Sequence, residues 1–422
     1  MTQPFAEPGA RRTTRHPLDF ARQLEERLVF TPGPTEVSPR VREAMALPVA
    51  NSDLDPDFAE LYRATCAGLQ ELLHTRSDVL ILAGEGLLGL EAAIASLVEP
   101  GDRVLALANG LYGHGFADFA RDYGAEVTVF EAPDRRPLDP DALRRFLRDQ
   151  KPFKLATLVH CETPTGLTNP VDQILPVLHE HGILTVMDSV SAIAAEPLEA
   201  DAWHADVVLG GSQKALSAPP GLAFLSVSPA AWEAMARRRT PIRGVYLNLR
   251  LWKDLWLDKG EFPYTPSTSD VYALYAAVAA ALEEGEAARL ARHQRLARAI
   301  RAAGEAAGLE LYPAPQAAAR SVTAWLIPDA LRPREQAIRR FMWEEHGVLM
   351  AGSWGDAAGR IWRAGHMGEN ARPEKGERFV RALAATLHHF GWNLPGDPVE
   401  AYRAALAGEG PALTGEGGGR SS

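Results

Sequence analysis

The sequence is poor in cysteine and has no long hydrophobic run. Cys66 and Cys161 are the two cysteines among 422 residues, too few for a disulfide framework, and they favour a reducing compartment such as the cytoplasm. No segment approaches ~18 consecutive apolar residues, so we expect no transmembrane helix and no membrane association. Arg11, Arg12 and Arg15 precede no apolar stretch, so we expect no secretory signal.

The chain also has no excess of positive charge. Its 44 lysine and arginine residues are outnumbered by 54 aspartate and glutamate residues, for a net charge of −10. This balance argues against nucleic acid as a partner. We predict no metal site either. His160, Cys161 and Glu162 are adjacent, and side chains that alternate along a strand cannot all face one ion.

Apolar runs that alternate with helical periodicity predict a large α/β domain. Seven of these runs have the length and continuity of buried strands: Val79–Leu82, Arg103–Leu107, Glu126–Phe130, Leu155–His160, Ile183–Met187, Asp206–Leu209 and Ala223–Val227. Predicted helices separate many of them: Gly89–Val98, Phe116–Tyr123, Pro140–Gln150 and Gln173–His181. The pattern is typical of a doubly wound, mainly parallel seven-stranded sheet.

The length and the texture of the sequence predict a second, smaller domain, because 422 residues exceed one ordinary core. We predict a flexible arm over 1–25, the large domain over 26–270, a connecting helix over 271–301 and an α+β domain over 302–395. A tail over 396–422 follows, and its Gly/Ser-rich end, from Pro411, is predicted to be disordered. In the small domain, Val322–Ile327 and Arg360–Ala364 are predicted strands, and Arg334–His346 and Glu374–Phe390 are predicted helices.

Two chemically distinctive residues follow successive predicted strands. Asp188 ends one strand, and Lys214 comes shortly after the next. Ligands of parallel sheets bind at the carboxyl ends of the strands. A lysine there can form a Schiff base, and an aspartate can keep the ring nitrogen of pyridoxal phosphate (PLP) protonated. The alternative is a surface lysine and a helix-capping aspartate.

Further strand ends carry weaker signals. The glycine turn containing Gly86 and Leu87 opens a helix, whose N-terminus suits a phosphate, although glycines also build turns without a ligand. Tyr112 could lie against a ring or be a rim tyrosine, and Thr163 could meet a phenolate oxygen or only build a turn. Arg363, beside a strand and a glycine, could clamp a carboxylate or be solvated.

These segments together resemble the class V aminotransferases of PLP fold type I, and within them the alanine–glyoxylate and serine–glyoxylate (serine–pyruvate) enzymes. The resemblance covers about Leu28 to Trp392. It rests on these segments: Thr31–Pro34, Gly84–Ala93, Asn109–Gly113, His160–Gly166, Asp188–Ile193, Ser212–Lys214 and Arg363–Gly368.

The resemblance implies a role for each matched residue. Lys214 would hold PLP as an aldimine and carry the proton, and Asp188 would pair with the pyridine nitrogen. Tyr112 would stack on the ring, and Thr163 would lie near its phenolate oxygen. The implied phosphate contacts are Gly86, Leu87, Gln213 and, from the neighbouring subunit of a homodimer, Thr265. Arg363 would bind the substrate carboxylate in a pocket lined by Gly33.

The implied function is ping-pong transfer of an amino group from a small amino acid, alanine or serine, to glyoxylate or pyruvate. Arg243 or Arg320 could instead serve an aspartate-type donor. The same fold also occurs in cysteine desulfurases and lyases. A protein of this fold could further bind PLP without catalysing any reaction.

One residue departs from the family pattern. Glu85 stands in the phosphate turn, where the family usually carries a small hydroxyl, and a carboxylate beside a phosphate dianion is unfavourable. Either Glu85 points away from the phosphate, or the pocket differs and Glu85 meets a substrate group.

Overall fold

The protein is described here by a computed structural model that covers residues 26–408. The predicted arm over 1–25 and the predicted disordered end from Pro411 lie outside the described residues. Within 26–408, no helix combines the length and the apolar character needed to cross a membrane.

A seven-stranded, mainly parallel sheet forms the centre of the large domain, as predicted. Its strands are β2 (Asp78–Ala83), β3 (Arg103–Ala108), β4 (Glu126–Glu131), β5 (Leu155–Val159), β8 (Leu184–Asp188), β9 (Val207–Gly211) and β10 (Leu222–Val227). Their order is β2-β10-β9-β8-β5-β3-β4. Only β10 runs antiparallel to its neighbours, β2 and β9. All seven predicted strands are confirmed. Six of them are largely buried and give continuous apolar runs, whereas the edge strand β4 is only partly buried.

Helices cover this sheet on both faces. In chain order they are α1 (Pro39–Met45), α2 (Pro56–Leu73), α3 (Gly86–Leu97), α4 (Leu111–Asp122), α5 (Pro140–Leu147), α6 (Val171–Glu180), α7 (Pro229–Ala236) and α8 (Leu249–Leu251), which continues as a π-helix over Trp252–Leu257. The short strands β6 (Cys161–Glu162) and β7 (Leu167–Thr168) pair with each other. Helices α3 and α4 begin three and five residues earlier than predicted.

The predicted connecting helix is two helices. Helix α9 (Thr268–Glu284) packs into the large core and α10 (Glu286–Ala306) into a second core. They meet at Gly285, whose φ of +78° favours glycine and ends the first helix. The long helical stretch is therefore shared between the two cores, with α9 on the large core and α10 on the second.

The second core lies between two small two-stranded sheets and three further helices. Its strands are β11 (Val322–Leu326), β12 (Val348–Leu349) and β13 (Ile361–Gly365), and its helices α11 (Glu335–His346), α12 (Pro373–His389) and α13 (Pro398–Ala407). Strand β11 pairs with β13, and near the N-terminus β1 (Leu28–Val29) pairs with β12 in parallel. The sequence assigned β1 to the large domain, whereas Leu28 and Phe30 are buried in the second core.

Residues 398–407, which the sequence assigned to a tail, form helix α13 instead. Asp397 caps its N-terminus by accepting hydrogen bonds from Val399 N and Glu400 N. Tyr402 is fully buried, and its hydroxyl donates to Pro373 O at 2.7 Å. The helix packs on α10 and α12, so the folded chain extends beyond the predicted end of the small domain. The remaining domain boundaries stay a prediction.

Candidate active site

The site lies where the parallel strands end. Strands β2, β3, β5, β8 and β9 all finish at one edge of the sheet, and Glu85, Tyr112, Thr163, Asp188 and Lys214 follow them in the chain. Since parallel strands share the direction of their carboxyl ends, these five side chains converge.

Lys214 is enclosed by the N-terminal segment of the chain. Its Nζ donates to Pro32 O at 2.8 Å, and a Cβ on Gly33 would lie 2.3 Å from Lys214 Cδ. Gly33 has a φ of +94°, so a side chain there would be both strained and in collision. Burial, and secondarily the charge of Arg363, lower the pKa of Lys214 to about 8. About a tenth of this amine is therefore neutral at pH 7, far more than for an ordinary lysine.

Asp188 lies at the end of β8 and is buried. Its Oδ1 accepts a hydrogen bond from Val190 N at 2.8 Å, which fixes the carboxylate. Burial raises the pKa of Asp188 to about 6, while Lys214 lowers this pKa and Glu85 raises it. A buried carboxylate with one fixed oxygen is suited to accept a hydrogen bond from a protonated ring nitrogen.

Tyr112 is held by a carboxylate that the sequence did not single out for the site. Glu162 is fully buried beneath the N-terminus of α4 and accepts hydrogen bonds from Tyr112 N at 3.2 Å and Gly113 N at 2.7 Å. Gly110 makes room for it, because a Cβ there would lie 2.5 Å from Glu162 Cδ. Burial raises the pKa of Glu162 to about 7, and the two N–H groups lower it.

The Tyr112 hydroxyl is close enough to the other site residues to respond to their charges. Burial raises the pKa of this hydroxyl to about 12, with further contributions from the charges of Asp188, Glu162, Arg363 and Glu85. The tyrosine therefore stays neutral at working pH, and its place beside Asp188 is compatible with the predicted ring contact.

Arg363 comes from β13 of the second core, yet reaches the same site. Its Nε donates to Gly352 O at 2.6 Å and its Nη1 to Thr163 O at 3.2 Å. The guanidinium also lies 5.1 Å from the ring centroid of Trp354. These contacts fix its plane, and Nη2 forms no hydrogen bond among residues 26–408. Thr163 itself is buried and shares a hydrogen bond with the Ser191 hydroxyl.

The turn at residues 84–87 does not leave all of its hydrogen-bond donors free for an anion. Glu85 is the N-cap of α3, and its Oε1 accepts from Leu87 N at 3.1 Å. Gln213 Nε2 donates to the other carboxylate oxygen at 3.5 Å. The ring-binding side of the site thus fits a pyridoxal-type ring, through Lys214, Asp188 and Tyr112. The phosphate side does not fit a dianion, since Leu87 N and Gln213 Nε2 already donate to a carboxylate at the same turn.

Thr265 stands apart from the other predicted residues. It is exposed, and among the described residues no hydrogen bond joins it to Lys214, Asp188 or Gln213. Its neighbour Tyr264 is partly buried and stacks on Tyr246, with ring centroids 4.5 Å apart. A role for Thr265 in a second subunit's site stays a prediction.

A hydroxyl pair that sequence reasoning missed supports the lysine loop. Thr35 Oγ1 donates to Lys214 O at 3.1 Å and lies 3.0 Å from Ser217 Oγ. Glu369 N donates to the same Ser217 hydroxyl at 2.8 Å. Each of these bonds joins residues separated by at least 152 positions in the chain, and no local pattern marks them.

The three adjacent residues 160–162 separate in the structure. His160 Nδ1 lies 3.1 Å from Ser189 Oγ, Cys161 contacts Ser321, and Glu162 turns to α4. No group of three or more His, Cys, Asp or Glu side chains is placed to hold a metal ion within 26–408. Burial raises the pKa of both Cys66 and Cys161, which makes them poor nucleophiles.

Comparison with known proteins identifies the family. Residues 31–333 match the family model described as aminotransferase class-V. The chain is 33% identical to a pyridoxamine–pyruvate transaminase of Mesorhizobium japonicum, over 90% of this chain and 96% of the relative. It is 29% identical to an alanine–glyoxylate aminotransferase of Oryctolagus cuniculus, over 86% and 93% of the two chains.

A solved structure confirms the fold. The ureidoglycine–glyoxylate aminotransferase of Bacillus subtilis superposes with a TM-score of 0.87 at 31% identity, covering 90% of this chain and 98% of its own. The resemblance derived from the sequence motifs is thereby confirmed. The chain belongs to the class V aminotransferase family, with the fold of the type I PLP enzymes.

Proposed function

We propose that the protein transfers an amino group between a small amino acid, such as alanine or serine, and pyruvate or glyoxylate. The observation that carries this proposal is the convergence of Lys214, Asp188 and Arg363 in one buried site, which offers an amine, a carboxylate and a guanidinium to one ligand. Relatives named for pyruvate or glyoxylate support these acceptors. The family is PLP-dependent, and a pyridoxal-type ring is the group proposed here.

Such a ring, when bound, supplies the carbonyl that exchanges the amino group and the electron-withdrawing system that makes the exchange possible. Asp188 would accept the hydrogen bond of the ring N–H and stabilise its positive charge. Lys214 Nζ, neutral in part because its pKa is about 8, would take the proton from the substrate Cα and return it on the ring side.

Arg363 would orient the substrate. Its Nη2 and its second Nη1 N–H have no hydrogen-bond partner among residues 26–408 and would donate to the two oxygens of one carboxylate, while Trp354 lies 5.1 Å from the guanidinium. A bidentate contact of this kind places the substrate Cα beside Lys214 and excludes amines that lack a carboxylate.

The cations near the site favour substrates without a charged side chain. Arg320 pairs with the buried Glu196 at 3.6 Å, and Arg339 pairs with Glu335 at 2.9 Å. Arg243 is exposed. Among residues 26–408, these pairings leave Arg363 as the guanidinium best placed for an anionic substrate, so an aspartate-type donor is disfavoured.

We also propose a homodimer in the cytoplasm. Tyr246 and Val245, which lie beside the Tyr264–Thr265 segment, are 55% and 45% exposed. An apolar surface next to a residue predicted to serve a neighbouring site suits a second copy of the chain. The two free cysteines fit a reducing compartment.

Amino transfer from a panel of donors tests the proposal. Purified protein, supplied in parallel with pyridoxal and with PLP, is given glyoxylate and L-alanine, L-serine, L-aspartate or L-cysteine. We expect pyruvate from L-alanine, hydroxypyruvate from L-serine, and no product with Lys214→Ala. Sulfide from L-cysteine would instead identify a desulfurase. The absence of product from every donor would favour the alternative of a protein that binds the ring without catalysing a reaction.

A further inference from the structure

The donors predicted for a phosphate are directed to a side chain of this protein. A helix N-terminus binds an anion through N–H groups that have no partner within the helix. At α3, however, Leu87 N donates to Glu85 Oε1 at 3.1 Å. Gln213, the second predicted phosphate donor, turns its Nε2 toward Glu85 Oε2 at 3.5 Å. The carboxylate of Glu85 therefore already accepts from two of the predicted phosphate donors, Leu87 N and Gln213 Nε2.

The side-chain groups left near the turn are acceptors. A carboxylate only accepts hydrogen bonds, which fixes the Gln213 amide with its nitrogen toward Glu85. Gln213 Oε1 is buried and has no hydrogen-bond partner among the described residues. An ionised phosphate is also an acceptor only, so neither group could bond to it without rearrangement.

The charge at this end of the site is negative. Glu85 is close enough to raise the pKa values of both Asp188 and Tyr112. The nearest cations, Lys214 and Arg363, are needed at the ring aldehyde and the substrate carboxylate. The remaining predicted phosphate contacts, Gly86 and Thr265, carry no positive charge. A phosphate dianion would therefore be placed beside an uncompensated carboxylate.

We infer that this site takes the unphosphorylated ring, pyridoxal and pyridoxamine, and that Glu85 accepts a hydrogen bond from the hydroxymethyl group on ring C5. This inference rests on the proposed function and specifies its amino-group carrier. A hydroxyl supplies the donor that Glu85 can accept, and a charge-assisted bond of this kind is strong. The other end of the site is formed by Lys214, Asp188 and Tyr112. Its contacts with the ring are the same whether the ring carries a hydroxyl or a phosphate.

Loss of the phosphate turns the ring from a resident cofactor into a substrate. The aldehyde form can condense with Lys214, but the amine form cannot and depends on non-covalent contacts. Pyridoxamine would thus enter, pass its amino group to the 2-oxo acid and leave as pyridoxal. The C4′–N bond breaks and a Cα–N bond forms. The oxidation of C4′ to an aldehyde carbon balances the reduction of the oxo carbon to an amine carbon. Condensation with the oxo acid releases its carbonyl oxygen as water, and hydrolysis supplies the aldehyde oxygen of pyridoxal from water.

Binding of 4-deoxypyridoxine and of its 5′-phosphate tests the inference without any reaction, because neither can condense with Lys214. Isothermal titration calorimetry gives both affinities for the wild-type protein, for Glu85→Gln and for Glu91→Gln. Glu91 lies on the same helix and bonds to Tyr123, so it is a matched control. We expect the wild type to prefer the unphosphorylated ring by about tenfold or more. E85Q should lose that preference, and E91Q should keep it.

The outcomes separate this inference from the proposed function. Tighter binding of the phosphorylated ring by the wild type would overturn the inference and leave the aminotransferase standing. Binding of neither ring would overturn both. The wild-type comparison decides the matter even if E85Q does not fold. Formation of many pyridoxal molecules per chain from pyridoxamine and pyruvate would support the exchange of the ring.

Discussion

Lys214 owes its reactivity to the residues that enclose it. The segment around Gly33 covers the amine, and Arg363 adds a positive charge nearby. Both effects disfavour the protonated form. An ordinary surface lysine would be almost fully protonated at the same pH and unable to attack a carbonyl.

The reaction of Lys214 with pyridoxal should follow this pKa. We expect the rate of colour formation to rise about tenfold per pH unit below the pKa and to level off above about 8. Stopped-flow absorbance over a pH series measures it. Removal of the neighbouring charge in Arg363→Gln should move the midpoint upward. A midpoint near that of free lysine in the wild type would contradict this description of the site.

Arg363 should control the affinity for the 2-oxo acid. Loss of a bidentate, charge-assisted contact in R363Q should raise the KM for pyruvate by roughly 10-fold to 100-fold. Arg363→Lys should recover only part of it, because an ammonium group cannot form the fork. Steady-state kinetics with the exposed Arg243→Gln as control measure the effect. An unchanged KM in R363Q would place the carboxylate elsewhere.

Single residues were predictable from the sequence where their chemistry is unusual at a strand end. Lys214, Asp188 and Arg363 carry such chemistry, and the structure brings them together. Glu162 carries an equally clear signal, a carboxylate after a buried strand, but its neighbours suggested only a metal cluster. Its hydrogen bonds to the backbone of α4 depend on the tertiary structure.

At the scale of the elements, Glu162 joins β6 to the N-terminus of α4. Glycine occupies the N-cap of this helix, at 110, and two of its first five positions, at 113 and 115, and glycine disfavours a helix. The sequence therefore placed the start of this helix at Phe116. The buried carboxylate stabilises the missed turn by accepting two of its free N–H groups.

Replacement of Glu162 by glutamine should change the pH dependence of stability. The carboxyl has a pKa of about 7 in the folded protein, against an ordinary value of 4.5. Between these values the unfolded chain releases the proton first, so the wild type loses stability as pH rises.

E162Q has no such proton to lose. Its free energy of unfolding relative to the wild type should therefore increase with pH by on the order of 3 kcal/mol between pH 4.5 and 7. Urea unfolding of the ligand-free proteins over this pH range measures the difference, with Glu126→Gln on the exposed edge strand as control. A difference in the free energy of unfolding that does not change with pH would contradict a raised pKa of Glu162 in the folded protein.

Element boundaries show where sequence reasoning ends. Six of the seven strands were predictable because burial on both faces leaves an apolar run in the sequence, and the partly buried edge strand β4 still carries Val127, Val129 and Phe130. The break at Gly285 was not predicted, because both flanking helices have the same Ala/Leu/Arg/Glu composition. Only the packing of α9 and α10 into different cores distinguishes them.

For the whole molecule, the site depends on two cores held together. Phe30 O accepts from Gly365 N at 3.0 Å, so the N-terminal segment that covers Lys214 also docks on β13, which carries Arg363. This arrangement couples the lysine and the guanidinium through a contact between the two ends of the described chain. Such contacts leave no periodic pattern in a single sequence.

The proposed dimer should depend on the surface around Tyr246. Sedimentation equilibrium should show two chains for the wild type and a shift toward one chain for Tyr246→Asp, because a charge would be buried at the interface. Amino transfer should fall together with the dimer. A wild-type protein that sediments as a single chain, with full activity, would contradict the proposal that the subunits share their sites.

The most direct test of the central claim is a half-reaction followed in the visible spectrum. Protein loaded with pyridoxal, and in parallel with PLP, is mixed with L-alanine in the absence of any acceptor. We predict that the colour of the Lys214-linked ring is bleached, that about one pyruvate appears per active site, and that pyruvate added afterwards restores the colour. An unchanged spectrum with both ring forms, or the same bleaching in Lys214→Ala, would contradict an aminotransferase built on Lys214.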